Sequence, residues 1–393
     1  MRSDAIKKGI ARAPARAMLR GAGLSDDEIA RPMVAIVNTW SEITPCNVHL
    51  RALADDVKRG VREAGGTPIE FNTIVVSDGI SMGTDGMRAS LVSREVIADS
   101  IELAVSGHSL DALIVLTGCD KTIPAGAMAL ARLDVPGLVL YGGAIAPGRF
   151  EDRDVTILDV FEAVGACAAG KLSESKLKEL EGRACPGAGA CGGQFTANTM
   201  ATALTVLGLS PIGANDVPAN DPKKRDVAAA CGRLVMELHR DDLRPSKVLS
   251  RASFDNAIAA VAATAGSTNA VLHLLAIARE AGISLSIDDF DPIASRTPVI
   301  ADLKPGGAFN AVDMHRAGGT GVLVKRMLAA GLLTDAMTVS GKTLANETSA
   351  LEEVAEQRVM LPIARPLKPT GGFAPTSTRC ARPLRTSRAR STA

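Results

Sequence analysis

Ala112-Leu113-Ile114-Val115-Leu116-Thr117-Gly118-Cys119-Asp120-Lys121-Thr122 is the stretch that decides how this chain folds. Residues 112–117 form a short apolar and β-branched run without polar alternation, and a glycine with a polar turn ends it at once. That is the pattern of a strand buried on both faces of a parallel sheet. Three further runs share it, Met33 to Val37, Ile69 to Val76 and Gly137 to Tyr141, each followed directly by Asn, Ser or Gly. Between them the apolar spacing becomes helical: Leu50, Leu53, Val57 and Val61 recur within 48–64, and Val92, Val96, Ile97 and Ile101 within 88–105. Alternating strands and helices predict an α/β fold, with a mainly parallel sheet flanked by helices. From about residue 152 the reading turns helical, with helices expected over 155–172, 173–180, 196–207, 226–238, 254–264 and 270–281.

Composition narrows the function. The 393 residues, 46% hydrophobic, suffice for a large buried core, and 44 basic against 43 acidic residues give no field for a nucleic acid or a membrane. Aromatics make up only 3%, with Trp40 and Tyr141 each alone of their kind, so stacking platforms for bases are scarce. A small molecule is the expected partner. Met1 to Arg20 is basic but holds no apolar run of signal-peptide type, and no stretch has the length of a membrane span, so a cytoplasmic protein is expected. Seven cysteines, at 46, 119, 167, 185, 191, 231 and 380, form an odd set that argues against a disulfide framework.

In an open parallel sheet, ligands gather beyond the carboxyl ends of the strands. Here those ends carry Asn38 with the loop Glu42-Ile43-Thr44-Pro45-Cys46-Asn47, then Ser77-Asp78-Gly79, then Gly118-Cys119-Asp120-Lys121. Taken singly, each has a bland reading, since free cysteine is commonly buried and a strand-end aspartate commonly caps a turn. Two thiols, two carboxylates and an amine at neighbouring strand ends exceed what turning the chain requires. A further loop, Cys185-Pro186-Gly187-Ala188-Gly189-Ala190-Cys191-Gly192-Gly193, leads into a helix from about Thr196. A thiol placed there is favoured as the thiolate, which makes Cys191 a credible iron ligand. Cys185 is the weaker candidate, and Cys167, Cys231 and Cys380 read as structural or incidental. Gly187, Gly189 and Gly192 match G-x-G-x-x-G, but the charged, helix-like 171–183 before them is not the strand that a dinucleotide site needs. In Ala265-Gly266-Ser267-Thr268-Asn269, Ser267 or Thr268 reads as a helix cap or an anion contact, and His273 as structural.

These segments carry a resemblance. Thr44-Pro45-Cys46-Asn47-Val48-His49-Leu50, Gly79-Ile80-Ser81-Met82-Gly83-Thr84-Asp85-Gly86-Met87-Arg88, Gly118-Cys119-Asp120-Lys121-Thr122 and Cys191-Gly192-Gly193-Gln194-Phe195-Thr196-Ala197-Asn198-Thr199-Met200 resemble dihydroxy-acid dehydratases, in the group that includes the 6-phosphogluconate and sugar-acid dehydratases. The match runs from Met1 to about Phe373. The resemblance implies that Cys46, Cys119 and Cys191 hold an iron-sulfur cluster, 2Fe-2S rather than 4Fe-4S. It also implies that Asp78 and Asp120 bind magnesium, and that a carbamylated Lys121 supplies a third oxygen ligand. The implied reaction removes water from 2,3-dihydroxy-3-methyl carboxylic acids to give 2-keto acids, in valine and isoleucine biosynthesis. The implied assembly is a homodimer.

The resemblance also implies a second, β-rich domain carrying a magnesium-binding Glu and a Ser that acts as the base. This sequence instead passes from a domain over 1–373 into a basic tail over 374–393, with Arg379, Arg382, Arg385, Arg388 and Arg390 and no acidic residue. That tail is expected to be disordered, as a frame change would leave it. The expectation is therefore a hydro-lyase by family whose catalytic base is not in this chain. The alternatives are an inactive fragment that binds metal only, or a sugar-acid dehydratase of the same family.

Overall fold

The computed structural model describes residues 1–372. The basic tail 374–393, with Cys380, lies outside the described residues. Four strands, β1 Met33–Asn38, β2 Thr67–Asn72, β3 Ala112–Thr117 and β4 Gly137–Tyr141, pair in parallel in the order β2-β1-β3-β4. Every residue of β1, β3 and β4 is buried, as uninterrupted apolar runs require. The helices that follow the strands are α1 Leu50–Glu63, α2 Arg88–Gly107 and α3 Thr122–Leu133. Later come α4 Ile157–Ala168, α5 Glu174–Ala184, α6 Thr196–Val206, α7 Lys223–Arg240, α8 Arg251–Ala263 and α9 Asn269–Glu280. A short antiparallel pair, Gly148–Phe150 with Arg153–Val155, precedes α4.

Side chains alternate across the sheet and so build two cores. Val34, Ile36, Ile114, Leu116, Leu138 and Leu140 pack against α1 and α7, while Met33, Ala35, Val37, Leu113, Val115 and Val139 pack against α2, α3 and the helical second half. Each fully buried Val, Leu or Ile here contributes about 1.5–3 kcal/mol. The amino terminus is fastened by Asp111, whose carboxylate accepts from Ser3 N (2.9 Å), Ser3 Oγ and Met33 N (2.8 Å). No helix among the described residues is long and apolar enough to cross a membrane.

Two expectations are corrected. The second strand is not a buried run over 69–76: it covers 67–72 and forms the sheet edge, where Ile69, Glu70, Phe71 and Asn72 are half-buried or exposed. Several helices extend past their apolar pattern, α7 beginning at Lys223 and α5 ending at Ala184, because charged turns belong to a helix without showing its periodicity.

One buried charge yields a measurable effect. Lys224, 1% exposed, donates from Nζ to Ala214 O at 2.9 Å. Burial brings its pKa down to about 8 from the ordinary 10.5, against the opposing charges of Cys231 and Asp216. The folded state therefore releases this proton first, the unfolded chain holds more protons between the two values, and this group's contribution to stability rises with pH. Across that window the stability of the wild type should gain on Lys224→Met by on the order of 3 kcal/mol. Denaturant unfolding at several pH values measures it, and parallel curves for the two proteins would refute it.

Candidate functional site

Three loops at the carboxyl edge of the sheet are tied to one another through the backbone. The loop after β1 folds back because Asn47 Nδ2 donates to Thr39 O (2.7 Å) and Thr39 Oγ1 (2.8 Å), while Thr39 Oγ1 itself donates to Leu116 O (2.9 Å) in β3. The turn after β3 is closed by Thr122, whose Oγ1 accepts from Gly118 N (3.2 Å) and Cys119 N (3.1 Å) and donates to Cys119 O (2.8 Å). Gly118 is where the two loops meet: a Cβ on it would lie 2.0 Å from Cys46 O, a backbone atom that has no rotamer to change. The third loop reaches the first at Gly189, whose N–H donates to Pro45 O at 2.8 Å. At φ +126°, with Ile145 N only 2.5 Å from where a Cβ would sit, only glycine serves at position 189. Ala190 N to Gly143 O (3.0 Å) and Ile145 N to Ala190 O (2.7 Å) complete the junction with the segment after β4.

These loops enclose a pocket of about 430 Å³ into which Cys46, Cys119, Cys191, Asp78 and Asp120 all open. Ile80, Met82, Ile145, Ile157, Phe161 and Phe195 give it apolar walls. Cys185, exposed in the chain, also reaches the wall, which the sequence reading rated lower. Cys231 lies in the core between the sheet and α7, and Cys167 is half-buried on α4, neither of them among the lining residues. The G-x-G-x-x-G glycines follow helix α5, not a strand, so the spacing lacks the context of a dinucleotide site.

Lys121 Nζ stands between the two carboxylates, 2.6 Å from Asp78 Oδ2 and 2.8 Å from Asp120 Oδ2, and Ser90 Oγ donates to Asp78 Oδ1 at 2.5 Å. Burial pushes Asp120 up to about 6; the Lys121 ammonium opposes the rise and Asp78 adds to it. For Asp78, burial also acts upward, but hydrogen bonds with Asp120, Lys121 and Ser90 prevail and hold it below the usual carboxylate range. The Lys121 amine is pulled down by burial, yet the two carboxylates outweigh that and raise it.

The thiols have the opposite bias. Cys119 is raised well above an ordinary thiol, first by its hydrogen bond with Cys46 and then by burial, and burial pushes Cys191 up to about 12. Cys119 and Cys191, raised in this way, become thiolates only when positive charge enters beside them. Among the described residues no three His, Cys, Asp or Glu side chains surround a single point closely enough to cage one ion.

The loop over 265–269 contributes as well. Ser267 Oγ accepts from Asn269 N at 3.3 Å and meets Thr196 Oγ1 at 3.0 Å, and Asn269 Nδ2 donates to Thr196 Oγ1 at 2.9 Å. Ser267 thus receives the first N–H of helix α9, one residue before its N-cap Thr268, while Thr196 and Asn269 reach the pocket. His273 is fully buried; its Nδ1 accepts from Arg94 Nη1 at 3.2 Å and its Nε2 has no partner among the described residues. Burial, then the charges of Arg94 and Lys121, depress its pKa to about 3, so this imidazole is neutral.

Residues 31–347 match the family profile described as "Dihydroxy-acid/6-phosphogluconate dehydratase N-terminal". The chain is 60% identical over 373 residues to a dihydroxy-acid dehydratase of Koribacter versatilis, a match covering 95% of this chain and 65% of that protein. It is 56% identical over 372 residues to the one from Roseiflexus castenholzii, covering 94% of this chain and 66% of the relative. With the one from Thermus thermophilus it shares 56% identity over 375 residues, covering 95% and 68%. The chain thus spans about two thirds of the length of these relatives. From the profile match and these identities, the chain belongs to the dihydroxy-acid/6-phosphogluconate dehydratase family, in the region that the family's N-terminal domain describes.

Proposed function

We propose that this chain forms the cofactor-holding part of a hydro-lyase that converts 2,3-dihydroxy-3-methyl carboxylic acids to 2-keto acids, the dehydration step of valine and isoleucine biosynthesis. The observation that carries this reading is the opening of Cys46, Cys119, Cys191, Asp78 and Asp120 onto one pocket. The donor set fits the groups that the family resemblance implies. Soft thiolates suit an iron-sulfur cluster, and buried carboxylates suit a hard divalent cation. Cys46, Cys119 and Cys191 would hold the cluster, in the 2Fe-2S form, and Asp78 and Asp120 the magnesium.

When bound, the cluster supplies a Lewis acid toward the substrate's 3-hydroxyl, and magnesium supplies positive charge toward its carboxylate and 2-hydroxyl. The chain's own residues prepare for this. Ile145, Ile157 and Phe161 exclude water and offer an apolar surface to the methyl-bearing carbon of the substrate. The lining contains no Arg, Lys or His among the described residues, which favours a methylated acid over a phosphorylated sugar acid. Lys121 as an ammonium pairs with both aspartates; loss of one proton to give the neutral amine, then addition of carbon dioxide with loss of a second, would replace that cation with a third anionic oxygen donor. With Asp78 and Asp120 given to the cation, neither is free to take the C2 proton, and that base is the one the resemblance implies in the family's further domain.

A positioned base commonly contributes a factor of about a hundred to ten thousand in rate. The test reconstitutes the purified chain with iron, sulfide and magnesium and assays 2-keto acid formation from 2,3-dihydroxy-3-methylbutanoate and from 6-phosphogluconate, beside a version extended with a relative's remaining third. Cofactor binding by both proteins, with rapid turnover of the methylated acid by the extended one alone, is the expected result. Failure of the chain to take up iron, or preference for the phosphorylated acid, would overturn the reading, and equal rates would overturn the assignment of the base.

A further inference from the structure

Tyr141, the sole tyrosine, ends β4 and is 1% exposed. A phenol so buried requires a partner for its hydroxyl, and it has one: Tyr141 O–H donates to Asn198 Oδ1 at 2.8 Å. Asn198 sits in the first turn of α6 and directs its Nδ2 at two backbone carbonyls, Cys191 O and Gly193 O, the latter at 2.6 Å. The hydrogen-bond directions admit one arrangement. Two carbonyls can only accept, so Nδ2 must face them, Oδ1 must face the phenol, and the phenol must donate. Burial first, and then the charges of Cys46, Cys191 and Cys119, raise its pKa far above an ordinary phenol, so it stays a donor with all three thiols within electrostatic reach.

A second asparagine fixes the other end. Tyr141 N donates to Asn215 Oδ1 at 3.0 Å, and Asn215 Nδ2 donates to Ala201 O and Thr205 Oγ1 on α6, both at 3.2 Å. Strand β4 and helix α6 are thereby joined twice, through Asn198 at the turn where the Cys191 loop enters the helix and through Asn215 farther along it. Cys46 and Cys119 follow β1 and β3, whereas Cys191 leads into α6, and Tyr141 joins the two supports by a side chain, beside the backbone ties of Gly189 and Ala190.

We propose that Tyr141 and Asn198 are positioning residues that turn the Cys191–Gly193 carbonyls toward the protein interior and hold Cys191 in register with Cys46 and Cys119 for the cluster. This rests on the reading of the three thiols as cluster ligands. Groups behind the ligands of a metal commonly change its affinity by about ten- to a hundred-fold when removed. The test uses the full chain reconstituted with iron and sulfide, as wild type, Tyr141→Phe and Asn198→Ala. Three readouts are compared: the visible spectrum of the cluster, the rate at which a chelator strips its iron, and the thermal melt of the metal-free protein.

The expected result is that both variants lose iron about ten-fold or more faster, with a shifted spectrum, while the metal-free melt of Tyr141→Phe falls only by the small step that one unpaired buried acceptor costs. If Asn198→Ala does not fold, Tyr141→Phe, which removes a single oxygen, decides alone. A wild type that holds its cluster beside a Tyr141→Phe variant with the same spectrum and the same rate of iron loss would overturn this inference and leave the functional reading intact. Faster iron loss matched by an equally lowered metal-free melt would overturn it in favour of a purely structural role. A wild type that takes up no cluster overturns both.

Discussion

Gly118→Ala costs the folded protein about 3 kcal/mol and leaves it unable to retain iron. The added methyl group meets Cys46 O at 2.0 Å, well inside van der Waals contact, and both partners are backbone. Overpacking with mobile side chains typically costs about 1–3 kcal/mol. Here the relief must come from withdrawal of the whole loop over 44–47 or from distortion of the end of β3, which places the cost at the upper end. Either movement carries Cys46 away from Cys119. The comparison is Gly21→Ala, at the exposed end of an early helix where a Cβ meets nothing within 4 Å. Alanine there should be neutral or stabilising by up to about 1 kcal/mol. Denaturant unfolding of both metal-free variants, followed by iron titration of the reconstituted proteins, makes the measurement. A Gly118→Ala protein as stable as wild type would mean that the Cys46 loop does not rest on the end of β3.

Replacing Cys46, Cys119 or Cys191 with serine abolishes the visible absorbance of the protein reconstituted with iron and sulfide, whereas Cys167→Ser leaves it unchanged. A serine hydroxyl ionises far less readily than a thiol and binds iron poorly, so loss of any one of three ligands removes the cluster. Cys231→Ser separates burial from ligation. Its thiol is enclosed between the sheet and α7, and burial pushes it up to about 12, so the protein keeps its colour but pays about 1–3 kcal/mol for an unpartnered hydroxyl in an apolar core. Iron content, absorbance and unfolding midpoint for the set assign each cysteine to one class. Full colour in any one of the first three variants would remove that residue from the ligand set.

How much of this was legible in the sequence follows from where each feature stores its information. Strands β3 and β4 were readable to the residue because glycine and a polar turn bound an unbroken apolar run. The edge strand β2 was not: Glu70 and Asn72 interrupt the pattern, and the apolar Ile74-Val75-Val76 that suggested a longer strand lies beyond it, on the approach to Asp78. The reactive residues stood out because thiols and carboxylates at strand ends are unusual for turns alone. The walls were silent, since Ile157, Phe161 and Asn269 are ordinary helix residues until α4 and α9 fold against the pocket. Tyr141 and Asn198 were equally hidden, because a polar pair acquires meaning only when a strand and a distant helix meet. Lys121, implied by the resemblance as a carbamylated ligand, has its amine between the two carboxylates.

The backbone ties among the three loops bear on the order of events in the life of the protein. Gly189 N to Pro45 O and Gly118 against Cys46 O join segments remote in sequence, and the entropy of closing such long loops is spent during folding of the polypeptide itself. A cluster bound as proposed would therefore have no chain to gather. In this respect the protein would differ from small zinc modules, whose folding free energy is supplied by their metal. On that reading, iron delivery and iron loss would be exchange reactions at a formed mouth, with unfolding as a separate fate.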